Sequence, residues 1–298
     1  MAYTTIDKST DYFETLTWNG NNASPRNITG LDFTPDFVWI KEQNQAYSTG
    51  HRLYDSVRGV GANKELDTSS QQYEGEGNIE TYGYPNALIS GGYTVQTGTT
   101  DIDYVNKTGN TYVSWNWKAG TSFSNDASST SVGSVDSTGS VSTDAGLSII
   151  NVVKANTTAH TVAHGLGAVP QMIMGKSRTG SSYRWIVYHK DIGNTHALYL
   201  NENFVKTDSV TFWNDTTPTS SVFSLGTDNS WNGTSIFYCF AEKKGYSKFS
   251  SYVGSGSAPG TFSYLGFKPA FLLIKESDGE DGWGMYDNKR NFKVGNTT

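Results

Sequence analysis

The sequence predicts an all-β protein of tandem β-sandwich units with jelly-roll-like pairing, and three observations support this fold class. First, aromatic residues make up 13% of the 298 residues, charged residues only 17%, and glycine occurs 32 times. Aromatic residues favour strands, whereas Gly, Ser, Thr and Asn favour the turns between strands. Second, we find no capped apolar stripe at helical spacing of convincing length. Third, the chain repeats itself, which indicates tandem units.

The first repeated motif is a proline, one further residue, four mostly apolar residues and a lysine. It occurs at 33–41, 168–176 and 267–275, with the same spacing from proline to lysine each time. Proline fixes φ and cannot donate a hydrogen bond, so it suits the start of a strand. The unbroken apolar run predicts a strand that is covered on both faces. We expect the lysine to close this strand and return the chain to solvent.

A second motif follows each lysine and carries a tyrosine before an acidic residue or a histidine. It occurs at 51–55, 185–189 and 283–287. The polar connectors between the two motifs differ slightly in length, as turns at a surface allow. Together the two motifs form what we call the front half of a unit, two strands joined by a polar turn.

The back half of a unit is a third motif, which occurs only twice, at 112–117 and 235–240. Each copy comes just after a turn rich in Asn and Gly. The order along the chain is therefore front, back, front, back, front. We expect Trp39, Trp115 and Trp117 to fill the core, because the large area of their rings is best used there.

These motifs place domain boundaries near residues 120 and 247. The predicted parts are a first unit (1–120), a Ser/Thr/Gly-rich linker (121–146), a second unit (147–247) and an incomplete third unit (248–298) with a front half only. The linker is either flexible or formed of exposed strands that pack on neighbouring chains. We expect a linker with short pieces of strand, and a third unit that packs on the preceding unit or on another chain.

Charge and cysteine content exclude several classes of protein. The net charge is −6 and no run of Lys or Arg stands out, which argues against binding to nucleic acid. The N-terminus lacks the pattern of a signal peptide, and no apolar stretch is long enough for a membrane span, so we expect no membrane insertion. The single cysteine, Cys239, lies in an apolar run, which predicts a buried and unreactive thiol.

Motifs for catalysis or metal binding are weak throughout the sequence. His160 and His164 lack the glutamate of a zinc protease, and we interpret His164 as part of a turn. Asp101 and Asp103 lack the glycine and the distal glutamate of a calcium loop, so we interpret them as a solvated turn. No pair of carboxylates is marked out for glycoside hydrolysis. We therefore expect no catalytic, cofactor-binding or metal-binding residues, and no enzyme.

Three tyrosines remain as candidates for contact with a receptor: Tyr73, Tyr82 and Tyr84. They lie in or beside the polar segment 74–84, which has no clear counterpart in the second unit. Aromatic rings can serve as platforms for sugar faces, so a variable loop with these tyrosines could touch a host surface. The alternative is that these rings cover the core or a subunit contact.

The motifs together resemble the repeats of tail fibre-like virion proteins from bacteriophages of cyanobacteria and other marine bacteria. The resemblance extends from Tyr12 to Asn291, and the third unit departs from the pattern because it has no back half. The segments that carry it best are Pro-Asp-Phe-Val-Trp-Ile-Lys (35–41), Leu-Tyr-Asp-Ser-Val-Arg-Gly (53–59), Tyr-Val-Ser-Trp-Asn-Trp-Lys-Ala-Gly (112–120) and Tyr-Cys-Phe-Ala-Glu-Lys-Lys-Gly-Tyr-Ser-Lys-Phe (238–249).

The resemblance implies a protein of the virion that is assembled in the host cytoplasm. The expected role is a tail fibre or host-attachment protein that binds polysaccharide or protein on the host surface. The alternative is a capsid decoration or tail adaptor protein without receptor binding, and a polysaccharide-degrading enzyme is a third possibility. Expected partners are other virion proteins and further copies of the chain, since such appendages are usually trimeric.

Overall fold

A computed structural model describes residues 4–44, 49–76, 79–100 and 103–290 of the chain. Within these ranges the secondary structure is twenty strands, three α-helices of one turn each and two short 3-10 turns, at Ser9–Asp11 and Asn229–Trp231. The prediction of an all-β fold is confirmed.

The first unit consists of two antiparallel sheets and one helical turn. Its elements are β1 (Phe13–Asn19), β2 (Arg26–Thr29), β3 (Phe37–Glu42), β4 (Arg52–Asp55), β5 (Leu66–Asp67), α1 (Ile79–Tyr82), β6 (Tyr84–Ile89), β7 (Gly92–Gln96) and β8 (Thr111–Trp117). The large sheet has the order β1-β8-β3-β4-β5, and the small sheet has the order β2-β7-β6.

The second unit also has a large sheet and a small sheet, and the third unit is a hairpin. Their elements are β9 (Thr121–Asn125), α2 (Ala127–Thr130), β10 (Ser137–Ser142), β11 (Leu147–Lys154), β12 (His160–Ala163), β13 (Met172–Ser177), β14 (Ile186–His189), β15 (His196–Tyr199), β16 (Thr207–Asp208), α3 (Val210–Trp213), β17 (Val222–Leu225), β18 (Gly233–Phe240), β19 (Phe271–Ile274) and β20 (Gly284–Asp287). The large sheet runs β16-β15-β14-β13-β18-β11-β10-β9, and β12 pairs with β17.

The repeated motifs become repeated strand pairings. The order β11-β18-β13-β14-β15 in the second unit is the order β1-β8-β3-β4-β5 of the first, and the pair β12-β17 corresponds to β2-β7. The hairpin β19-β20 corresponds to β3-β4 and to β13-β14. The register is also the same, since Phe37 pairs with Asp55 and Phe271 with Asp287.

The jelly-roll part of the prediction is not confirmed. The first strand of each complete unit pairs with the last, as in a jelly roll. The third, fourth and fifth strands, however, follow one another in the same sheet as a meander. The predicted linker 121–146 contains β9, α2 and β10, and β10 pairs with β9 on one side and with β11 on the other.

Three apolar cores lie between these layers. An outer core fills the space between the two sheets of the first unit, and a second outer core lies on the corresponding face of the second unit. The central core is shared by all three units, because both large sheets and the hairpin β19-β20 turn one face toward it. The third unit therefore packs on the preceding units, as expected.

Several side-chain predictions can be compared directly with the structure. Trp39, Trp115 and Cys239 are buried as predicted, and burial raises the pKa of the Cys239 thiol to about 12. Trp117 is half-buried at the edge of the central core. The prediction that the motif lysine returns the chain to solvent is wrong for the second unit, where Lys176 is fully buried. Its ammonium group donates to backbone carbonyls, which replace water as its partners.

Candidate functional site

The three candidate tyrosines lie in the first unit, at two places along the chain. Tyr73 is partly exposed in the loop after β5, and its backbone N–H donates to the Glu76 carboxylate at 2.9 Å. The adjacent Glu74 forms an ion pair of 2.6 Å with Arg178 of the second unit. This loop therefore connects the first unit to the second.

Tyr82 and Tyr84 lie at the end of α1 and the start of β6, and both are half-buried. The ring of Tyr82 packs on that of Tyr104, with 5.0 Å between centroids. The Arg52 guanidinium lies over the other ring of this pair, 3.8 Å from the Tyr104 centroid. Tyr82 thus extends an internal stack of rings and cation rather than standing free in a loop.

The segment 74–84 has a counterpart in the second unit, which corrects the expectation from sequence. The helix α1 lies between β5 and the strands of the small sheet, and α3 occupies the same place in the second unit. Residues 77 and 78 of this segment lie outside the described ranges. The two segments differ in sequence but have the same order of elements. This order could not be predicted, because a helix of one turn is too short to show an apolar period in the sequence.

The surroundings of Asp103 and His164 can also be compared with the predictions. Asp103 is fully buried, and its carboxylate accepts hydrogen bonds from the backbone N–H groups of Gly98, Val105 and Asn106. The prediction of a solvated turn is therefore wrong for Asp103, while Asp101 lies outside the described ranges. Buried His164 accepts from the Leu166 N–H at 3.3 Å, which fits the predicted role in a turn. The described residues contain no group of three potential ligands that could hold a metal ion.

Two equivalent hydrogen bonds join the back half of one unit to the front half of another. Tyr238 Oη donates to Asp55 Oδ2 at 2.6 Å, and Trp115 Nε1 donates to Asp287 Oδ2 at 3.1 Å. The two donors occupy the same position, because β18 pairs with β13 in the register in which β8 pairs with β3. The two acceptors are also equivalent, since each ends the second strand of a front half.

Each of these aspartates also pairs with the arginine three residues later. The Arg58 and Arg290 Nε atoms lie 2.5 Å from Asp55 and Asp287, respectively. Burial alone would lower the pKa of Arg58, but the Asp55 carboxylate raises it above its usual value. Backbone N–H groups of the following turn complete both carboxylate sites. The motif Tyr-Asp-x-x-Arg thus builds a buried, charged junction between units.

Two tryptophans at equivalent positions also donate across units. Trp185 Nε1 donates to the Asp67 carbonyl, and Trp283 Nε1 donates to the Tyr199 carbonyl, each at 2.8 Å. The two carbonyls are equivalent, because β5 and β15 pair with β4 and β14 in the same register. His51 takes the same position in the first unit as these two tryptophans.

The motif lysines form a third set of equivalent hydrogen bonds between units. Lys176 Nζ donates to the Gln71 carbonyl at 2.7 Å, and Lys275 Nζ donates to the Asn203 carbonyl at 3.3 Å. Burial lowers the pKa of Lys176 to about 7. All these bonds run from the second unit to the first, from the first to the third, or from the third to the second. The units are therefore arranged as a ring with approximate threefold symmetry around the central core.

A cavity of about 370 Å³ lies where the three units meet. Trp39, His51 and Trp283 are among its lining residues. The Trp39 Nε1 and His51 Nδ1 atoms are buried and have no hydrogen-bond partner in the described part of the chain. Burial lowers the pKa of His51 to about 4, so its imidazole is neutral at neutral pH.

A larger cleft of about 940 Å³ lies between the first unit and the hairpin of the third. Its cationic side chains already have partners: Arg26 donates to Asn106, Lys289 to Glu14, and Arg290 to Asp287. A site for an anionic ligand needs cations that are free to bind it. These contacts therefore do not favour such a ligand in the cleft.

The most unusual surface of the molecule belongs to the third unit. Its residues match those of the first unit at one constant offset, which relates both Pro25 to Pro259 and Pro35 to Pro269. At this offset Ile28 corresponds to Phe262. Ile28 is 4% exposed in the outer core of the first unit, whereas Phe262 is 85% exposed.

The same contrast holds along the preceding segment. Trp18 is 9% exposed, whereas its counterpart Tyr252 is 53% exposed. Val253 and Tyr264 are also largely exposed. We name Tyr252, Val253, Phe262 and Tyr264 the apolar surface of the third unit. The motifs that predicted the units do not include these residues, although the repeat extends from Pro269 toward the N-terminus and relates two of them, Tyr252 and Phe262, to apolar residues of the first unit.

A family model described as a domain of unknown function, DUF7483, matches residues 8–297. The chain belongs to this family. The match covers both complete units and nearly all of the third, so the ring of three units falls within one family domain. A search of curated proteins and a search of solved structures found no match. Within the described ranges, no helix has the length and apolar character needed to cross a bilayer.

Proposed function

We propose that the chain is a structural and binding protein of a bacteriophage particle, and that it serves as a tail fibre or host-attachment protein. The observation that best supports a role in an assembly is the apolar surface of the third unit. Contiguous exposed apolar side chains mark contacts with other proteins more often than they occur on free monomers. On the particle, a neighbouring virion protein would cover this surface.

The ring of three units suits a part that must keep its shape. Its junctions combine the Glu74–Arg178 ion pair, hydrogen bonds from Tyr238 and Trp185, and one shared apolar core. Relative movement of the units would break these contacts and expose the core to water, so it is strongly opposed. A rigid body of this kind can carry loops that contact a host, as loops on rigid scaffolds do in other binding proteins.

The proposed host contact lies on the first unit, at Tyr73, Tyr82 and Tyr84. The test is binding of the labelled protein to host cells by a Tyr82→Ala/Tyr84→Ala double variant. We expect weaker binding than for the parent, while a Tyr252→Ala variant on the third unit binds as the parent does. Equal binding by the double variant and the parent would contradict this role.

A capsid decoration or tail adaptor protein is the second candidate, because the apolar surface of the third unit would serve it equally well. Light scattering coupled to size exclusion separates the two candidates. An elongated homo-trimer supports a fibre. A compact monomer that binds empty capsids or isolated tails supports decoration or adaptation and argues against host attachment.

A further inference from the structure

The strand β19 has an edge that differs from the corresponding edges in the two complete units. In those units the equivalent strands β3 and β13 are central, since β8 and β18 pair with them on the side away from β4 and β14. Among the described residues, β19 pairs with β20 alone. Strand edges of this kind are ready templates for another strand.

The register identifies the backbone groups of β19 that have no strand partner among the described residues. The Asn288 N–H donates to the Ala270 carbonyl, and the pairs that exchange hydrogen bonds alternate along an antiparallel ladder. The N–H and C=O groups of Phe271 and Leu273 therefore point away from β20. Their counterparts in β3, Phe37 and Trp39, lie opposite residues of β8.

The side chains of this strand match those of a unit whose back half is in place. Phe271 and Leu273 pack on the central core, as Phe37 and Trp39 of β3 do. An added strand would extend the sheet of the third unit beside them.

The junctions between the units also indicate where an added strand would lie. Two of the three junctions have an aromatic donor from a back half and an acceptor at the end of a front half. His189 stands at the acceptor position of the second unit, equivalent to Asp55 and Asp287. A back half on the third unit would place its aromatic donor toward His189, just as Tyr238 and Trp115 face their aspartates.

We propose that the free edge of β19 binds an extended segment of a partner polypeptide, which adds an antiparallel strand where β8 and β18 lie in the complete units. The partner segment has the chemistry of those strands: alternating apolar residues with an aromatic side chain that donates a hydrogen bond. Backbone hydrogen bonds supply affinity, and the alternate side chains supply specificity, as in other cases of β-strand addition. This inference does not depend on the proposed role in a phage particle.

The test uses the full chain and a labelled synthetic peptide of residues 111–119, which contains β8. We expect saturable binding by fluorescence anisotropy. N-methylation of the peptide at Trp115, whose N–H faces β3 in the first unit, should weaken binding by about tenfold or more through the loss of one hydrogen bond and a steric clash. Binding of both peptides with equal affinity, or no binding at about 1 mM peptide, would overturn the proposal.

Two variants of the protein locate the binding edge. Leu273→Pro removes an N–H from the free edge and should abolish peptide binding. Leu273→Ala loses the same packing on the central core but keeps the N–H, so it should still bind. Loss of binding in both variants, or in neither, would contradict an edge-to-edge contact. A dimer of the chain that Leu273→Pro disrupts and the peptide does not displace would show that a second copy is the occupant, and would overturn the assignment of the partner.

Discussion

The first and third units share one pattern of apolar residues but differ in what covers it. In the first unit, Trp18 and Ile28 lie between a five-stranded and a three-stranded sheet. In the third unit, Tyr252 and Phe262 occupy the matching positions and are exposed. In the first unit, residues of the later strands β7 and β8 complete this outer core. Among the described residues of the third unit, the hairpin has one covered face, toward the central core.

The largest expected effect comes from removing the third unit altogether. A variant lacking residues 248–298 exposes the face of the central core that Phe271, Leu273, Trp283 and Met285 cover. We expect the free energy of unfolding to fall by at least about 4 kcal/mol, because each large apolar side chain contributes about 1.5–3 kcal/mol on full burial. Denaturant unfolding and light scattering measure this. Unchanged stability and oligomeric state would mean that the third unit is not part of the shared core.

The two aspartate junctions should differ in strength. Asp55→Asn removes the nearer of the two carboxylates that pair with buried Arg58 and leaves Glu74 at 3.4 Å, so it should cost about 3 kcal/mol in the free energy of unfolding. The matched variant Asp287→Asn should cost about 1–2 kcal/mol, because Arg290 is partly exposed and water can solvate it. Chemical denaturation of both variants gives the comparison. Equal costs would contradict the idea that the first junction is the more deeply buried of the two.

A matched pair of alanine variants tests the contrast between the outer faces. Ile28→Ala removes a buried side chain and should cost about 2–5 kcal/mol. Phe262→Ala removes an exposed one and should change the free energy of unfolding by less than about 0.5 kcal/mol. Thermal and denaturant unfolding provide both values. A large loss for Phe262→Ala would show that its ring is buried in solution, against the structure.

The smallest effect at neutral pH should come from His51, which takes the place of a tryptophan in the ring. Burial, with a smaller contribution from the Lys41 charge, lowers its pKa to about 4 in the folded chain. The unfolded chain takes up this proton near pH 6.5, so the contribution of the neutral imidazole to stability is complete above that pH. It is lost as the pH falls toward 4.

The comparison of parent and His51→Gln measures this contribution. The difference in free energy of unfolding between the two chains should be constant above pH 6.5 and should shift in favour of the variant between pH 6.5 and 4. Other carboxylates and histidines titrate in both chains and cancel in the difference. A difference that does not vary with pH would mean that His51 is accessible to protons in the folded state.

Much of the fold could be predicted from the sequence, because its repeats are local. The proline, the apolar run and the lysine marked β3, β13 and β19 correctly, and the back-half motif marked β8 and β18. A continuous apolar run indicates that both faces of a strand are covered, but not which element covers them. The shared central core could therefore not be predicted, since it depends on contacts between units that are far apart in sequence.

The junction residues were hidden for a related reason. Lys176 and Asp55 look like surface residues, because isolated charges are rarely buried. Their partners, the Gln71 carbonyl and the Tyr238 hydroxyl, belong to other units, so no local pattern reveals them. The three tyrosines lie among polar residues, which predicted that their rings stand free in a loop. In the structure, the ring of Tyr82 packs on that of Tyr104. Contact of these tyrosines with a receptor stays a prediction.

Hydrogen exchange of single amides in the three equivalent strands tests the open edge of the third unit most directly. Nuclear magnetic resonance can follow Trp39, Met174 and Leu273, which occupy the same position in β3, β13 and β19. We predict strong protection for Trp39 and Met174, and fast exchange for Leu273 that slows when the peptide of residues 111–119 is added. Strong protection of Leu273 in the free protein would contradict an open edge, because its N–H would already have a partner.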